Sequence, residues 1–71
     1  SGMDGADSDD RPIGAVVRER RRELGLGQRE VALLAGCHLD FVSDLERGKE
    51  TVRLDKLRSV LAVLGLRLEV R

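Results

Sequence analysis

Cys37 and His38 stand side by side, a pairing that would suit a metal ion. The sequence holds no second cysteine or histidine, so neither a three-ligand nor a four-ligand zinc site can be assembled within one subunit. Cys37 therefore reads as a small buried hydrophobe, and His38 occupies a place where a capping Ser or Thr would be usual. Covalent chemistry is no better supplied. There is no Ser, His and Asp set at usable spacing, no glycine-rich phosphate loop and no pair of carboxylates in an evident pocket. An enzyme is the poorest fit, and no cofactor is implied. What remains is hydrogen bonding and charge. Gln28, Ser43, Arg47, Lys49 and Arg53 offer donors of the kind that hold phosphate oxygens, whereas Asp40 and Asp44 offer carboxylates that can only accept.

These groups must be carried by short helices. Gly36 follows an apolar-periodic run, Val31, Ala32, Leu34 and Ala35, and glycine takes the left-handed conformation that ends a helix without steric cost. A second pattern begins at once with Leu39, Val42 and Leu45. It stops at Gly48, with Arg47 in the last turn, where a cation suits the helix dipole. The spacing predicts one helix from Gln28 to near Ala35 and another over residues 38–47. Two helices joined by about three residues containing glycine have the spacing of a helix-turn-helix, whose second helix enters the major groove of DNA.

Gln28, Val31, Ala32, Ala35, Gly36, Val42, Ser43, Leu45, Glu46, Gly48 and Lys49 fall where one family carries its Q, L, A, x, G, I, S, I, E and G-K pattern. The stretch thus resembles the phage-repressor and Cro-like (XRE) helix-turn-helix family. Further on, FVSDLERGKETVRLDKLRSVLAVLGLRLEV is similar to the tail of HipB-like antitoxins, small repressors encoded beside a kinase-fold toxin. Together the resemblance covers residues 13–70. It implies an all-α, four-helix domain of the lambda-repressor type, a homodimer, and double-stranded DNA with a palindromic operator as ligand. A HipA-like kinase toxin is the further partner it implies.

On the second helix of such a motif, the side chains near the N-terminus of the outer face meet base edges: Leu39, Asp40, Phe41, Ser43 and Asp44. The set is unusual. Arg, Gln and Asn are the common readers, whereas Asp40 and Asp44 can only accept, as from cytosine N4, and they repel phosphates. Leu39 can touch a thymine methyl, and Phe41 can pack over one or against the preceding helix. Affinity is then expected from phosphate contacts by Gln28, Ser43, Arg47, Lys49 and Arg53, with His38 as a further contact when protonated. Part of the specificity would come from DNA shape and half-site spacing. Gln28 opens its helix where backbone N–H groups point outward, so it serves as a phosphate contact, as a helix cap, or as both.

Residues 12–24 are expected to form the first helix, opened by Pro12 with Asp10 as a cap and closed by Gly25. Helical stepping from Ile13 and Val17 lands on Arg21, which places a guanidinium on the inward stripe. It needs a carboxylate to offset desolvation, and Glu46, four residues beyond Val42 on the inward side, is the candidate. The resemblance points the same way, because Cro-like repressors place an Arg and a Glu at matching positions. The alternative is that Arg21 runs its stem along the surface and keeps its charge in water. The basic run Arg18, Arg20, Arg21 and Arg22 could suggest a nucleic-acid patch, yet with Glu19 and Glu23 interleaved it reads as a solvated helix face.

After a polar link at residues 49–53, Leu54, Leu57, Val60, Leu61 and Leu64 recur at helical spacing up to Gly65. The remaining LRLEV alternates strictly, with Leu66, Leu68 and Val70 on one side, as in a half-buried strand. No other segment reads as β. The partner would be the same strand of a second copy, antiparallel across a two-fold axis, as HipB-like proteins dimerise. The competing readings are a fifth short helix and a frayed tail. Domain organisation follows: residues 1–10 as a flexible acidic tail, with Ser1 and Gly2 ahead of Met3 as a tag remnant, residues 11–65 as the DNA-binding domain, and residues 66–71 as the dimerisation strand.

The 71 residues make one domain, and a domain of this size buries only about three-fifths of its unfolded surface, so help from a partner subunit is expected. Formal net charge is zero. Yet Asp4, Asp7, Asp9 and Asp10 precede Arg11 whereas all thirteen basic residues lie at or beyond it, leaving an excess of four positive charges from Arg11 onward. That balance permits DNA binding. One cysteine excludes an internal disulfide, and no apolar run is long enough for a signal peptide or membrane span, so the cytoplasm is the expected location. The function implied is a sequence-specific DNA-binding repressor, the antitoxin of a HipBA-like pair autoregulating its operon. A free-standing repressor would look the same. A protein-interaction module that keeps the motif as a scaffold is the competing class, with Asp40 and Asp44 as its best support.

Overall fold

The computed structural model describes residues 11–68. Four α-helices follow one another: α1 Ile13–Glu23, α2 Gln28–Ala35, α3 Leu39–Glu46 and α4 Leu54–Val63. All four stop in the same way. The N–H of Leu26 bonds the Arg21 carbonyl (3.0 Å), Cys37 bonds Ala32 (2.9 Å), Lys49 bonds Asp44 (3.0 Å) and Leu66 bonds Leu61 (2.8 Å). Each of these bonds closes a loop that contains a glycine at positive φ, which is the Schellman termination. Gly36, at φ 71°, is the one that sets the turn between α2 and α3. In three of the four caps the residue after glycine is apolar and packs against the core: Leu26, Cys37 and Leu66. At the end of α3 it is Lys49, which is exposed.

The core is aliphatic and draws on every helix. Val17 comes from α1, Val31 and Ala32 from α2, Val42 and Leu45 from α3, Leu57, Val60 and Leu61 from α4, and Leu64 follows just after. With so few large side chains, helix axes must lie close for these residues to meet. α2 packs on both α3 and α4, and α1 packs on α3. The last contact depends on a glycine. Gly14 is buried, and a Cβ built there would run into the carbonyl oxygen of Leu45. Only glycine lets α1 rest on the backbone of α3. Arg20 adds a second tie, its Nε donating to the Leu64 carbonyl at 3.0 Å and so linking α1 to the end of α4.

Several boundaries differ from the sequence expectation. Pro12 is the residue before α1 rather than its first member, and its carbonyl accepts from Ala15 (3.0 Å) and Val16 (3.2 Å). The expected cap, Asp10, lies outside the described residues. His38 and Arg47 likewise flank α3 instead of belonging to it. The strand expected over residues 66–70 is absent from residues 66–68, and Val70 lies outside the described span. The physical reason is that a ladder needs a second strand, and none of the described residues is in one. Leu66 turns onto the core of its own chain, while Leu68 stays open to solvent. Among the described residues no helix is long and apolar enough to cross a membrane.

Candidate nucleic-acid interface

α2, the three-residue turn and α3 form a unit whose inner side is closed by one carboxylate. Glu46, at the end of α3, accepts from Arg21 of α1 through Nε (2.7 Å to Oε2) and Nη2 (2.9 Å to Oε1), a two-pronged pairing. Arg21 Nη1 also donates to the Leu26 carbonyl at 2.9 Å, and Gln28 Nε2 of α2 donates to Glu46 Oε1 at 3.0 Å. Side-chain exposure is 11% for Arg21 and 3% for Glu46, so both charges are out of water and depend on each other. Burial alone would push the Glu46 carboxyl up. Hydrogen bonds from Arg21 and Gln28, with the charges of Arg21 and Arg18, overcome it and hold Glu46 below the usual carboxylate range. The hydrogen bond to Glu46 correspondingly raises the guanidinium of Arg21. One network therefore fixes three helices and the link between the first two.

That network changes the part Gln28 plays. The helix is capped by Glu30, whose carboxylate accepts from the Gly27 N–H at 2.7 Å, and Gln28 turns its amide inward. One of its two amide hydrogens is taken. Its backbone N–H, in the first turn of α2, has no bond to the helix itself.

The outer side of α3 is set by helical stepping, which puts Asp40, Ser43, Asp44 and Arg47 opposite the buried Val42 and Leu45. Asp44 pairs with Arg47 and lies 3.9 Å from Lys49 Nζ. Asp40 is exposed, and among the described residues no hydrogen bond or ion pair reaches it. Leu39 is half-buried, and Phe41 is half-buried against the core. Of the two uses offered for Phe41, packing within the domain is the one observed, because the ring covers apolar atoms that would otherwise face water.

His38 precedes α3 as an exposed residue and makes no side-chain cap bond. With Arg53 and Lys56 it lines a shallow cleft floored by Gly36, Cys37 and Phe41. Arg53 pairs with Asp55 at 3.1 Å, with both side chains well exposed. Lys56 was not singled out from the sequence, although its place in the first turn of α4, next to Leu57, puts it beside the turn of the motif. Burial pushes the Cys37 thiol up, and Lys56 offsets this only in part, so the thiol stays protonated and is a poor nucleophile. No group of three His, Cys, Asp or Glu suited to a metal occurs among the described residues. The surface can therefore donate and accept hydrogen bonds and exchange ion pairs.

Comparison with known proteins agrees with this geometry. The Helix-turn-helix domain family matches residues 12–71. Over 58 residues the chain is 45% identical to an uncharacterized HTH-type transcriptional regulator, y4mF, of Sinorhizobium fredii, covering 82% of this chain and 76% of the relative. It is 36% identical over 50 residues to the HTH-type transcriptional regulator DdrOP3 of Deinococcus deserti, covering 70% of this chain but only 39% of that protein. Against the ImmF control region 10 kDa protein of Bacillus phage phi105 the identity is 29% over 62 residues, covering 87% and 69% of the two chains. With a helix–turn–helix closed by Gly36, and a family match that spans it and both flanking helices, the chain belongs to the helix-turn-helix domain family.

Proposed function

We propose that this protein is a transcriptional regulator that binds double-stranded DNA, laying α3 in the major groove of a palindromic operator as a homodimer. The observation that carries the proposal is the two-sidedness of α3. Its inner side is locked by Arg21 and Glu46, while Asp40, Ser43, Asp44 and Arg47 face outward. Two relatives named as HTH-type transcriptional regulators support it. In this arrangement Ser43, Arg47, Lys49 and Arg53, with the first turn of α2 at Gln28 and with His38, hold phosphates and set the register. Leu39 and Asp40 stand nearest the bases. Dimerisation through residues 66–71 is supported by Leu68, which is 43% exposed in the single chain, and by the small size of the core. A gel shift with the DNA upstream of its own gene, against random competitor, tests binding. Sedimentation at micromolar concentration tests the dimer, and a species that stays monomeric there would rule out the tail pairing.

The narrower role, antitoxin of a HipBA-like pair, rests on the similarity of residues 41–70 to HipB-like tails. Its partner would be a HipA-like kinase encoded next door. Co-expression with the neighbouring open reading frame, followed by affinity capture of this chain, should retain that product. If only this chain is recovered, it is a free-standing repressor.

A further inference from the structure

α3 carries two acids on its outward side, and the structure separates them. Asp44 is matched by Arg47 and Lys49, so its charge is compensated within the protein. Asp40, one turn nearer the N-terminus, is exposed and has no polar partner among the described residues. In a helix-turn-helix docked on DNA, the N-terminal residues of the second helix reach the base edges. A free carboxylate brought into that polyanionic groove loses hydration and is repelled by phosphates. It is tolerated only where a base offers it a hydrogen.

Two bases have a donor in the major groove, cytosine at N4 and adenine at N6. Adenine places its N7 lone pair beside N6, where it would oppose the second carboxylate oxygen; that arrangement suits Asn or Gln instead. Cytosine places a C–H beside N4 and opposes nothing. We propose that Asp40 reads a cytosine in each half-site, its carboxylate accepting a hydrogen bond from the exocyclic N4 amine. This rests on the DNA-binding function proposed above and assigns one position of the operator.

Selection from a pool of randomised duplexes tests it, with the wild-type chain, Asp40→Asn, Asp40→Ala and Asp44→Asn run in parallel and each shown to be folded by its thermal melt. The wild type should enrich one fixed cytosine per half-site, and replacing it by thymine, whose O4 only accepts, should weaken binding roughly tenfold. Asp40→Asn should shift the preference to adenine, Asp40→Ala should lose the preference, and Asp44→Asn should keep cytosine. If the wild type enriches a motif that both Asp40 variants enrich unchanged, the role of Asp40 is overturned while DNA binding stands. In that case a cationic protein is the better candidate to meet Asp40. If the wild type enriches no motif at all, the proposed function fails and this assignment fails with it.

Discussion

The two sides of α3 both carry an acid matched by bases, and they differ in water. On the inner side Glu46 and Arg21 are 3% and 11% exposed; on the outer side Asp44, Arg47 and Lys49 are 32%, 73% and 54% exposed. A pair sealed from solvent is held by its geometry, because removing one partner strands the other charge in the interior at a cost of about 3–5 kcal/mol. An exposed pair contributes roughly 0–1 kcal/mol and is easily exchanged. The inner cluster therefore fixes where α3 lies, and the outer one leaves Arg47 and Lys49 paired with Asp44 at the surface, where they stay open to water. The Schellman caps show the same division. Three close on an apolar side chain that joins the core, and the one ending α3 closes on Lys49, beside Asp44.

The sharpest way to break this contrast is on the inner side. Arg21→Ala should cost about 3 kcal/mol or more, which for a domain of this size lowers the melting temperature by more than about 12 °C in a circular-dichroism melt. A melt that does not move would mean that the pair adds nothing to the fold. Gly14→Ala comes next, at about 1–3 kcal/mol in a urea titration, because α1 must lift off the Leu45 carbonyl.

Titration separates the two sides further. The carboxyl of Glu46 is depressed in the folded state, so the folded chain binds fewer protons there than the unfolded chain. Its contribution is fully present above about pH 4.3, the unfolded glutamate value, and is lost as the pH falls through the folded-state pKa. Glu46→Gln should remove that part of the acid-side decline, as read by melts at successive pH values. On the outer side, Asp44→Asn should change the melt by less than about 1 kcal/mol. The smallest effect on the fold belongs to Lys49→Ala. It should leave stability unchanged, weaken binding to every DNA sequence alike, and flatten the salt dependence by about one unit per subunit.

How much of this could be read from the residues depends on whether the cause is local. The stops at Gly25, Gly36, Gly48 and Gly65 are local chemistry, and with the periodic Val and Leu residues they mark out four helices. Stepping Ile13, Val17, Arg21 put an arginine on the inward stripe, and the structure sets it against Glu46. Gly14 gave no signal, because the approach of α1 to α3 depends on distance between segments thirty residues apart and not on any motif. Gln28 is only half legible for a related reason. Its place at a helix start gives the outward backbone N–H, but not the inward amide that the fold brings within reach of Glu46. Asp40 and Asp44 looked alike in sequence and part company only when Arg47 and Lys49 close on one of them. Residues 66–68 alternate as a strand would, but pairing needs a second edge that one chain does not supply.

Whether the outer side of α3 meets DNA is settled most directly by titrating the protein onto the duplex upstream of its own gene across a range of salt concentrations, with random duplex in competition. Binding should favour the upstream duplex and fall steeply as salt rises. Equal affinity for the upstream and random duplexes at every salt concentration would contradict it.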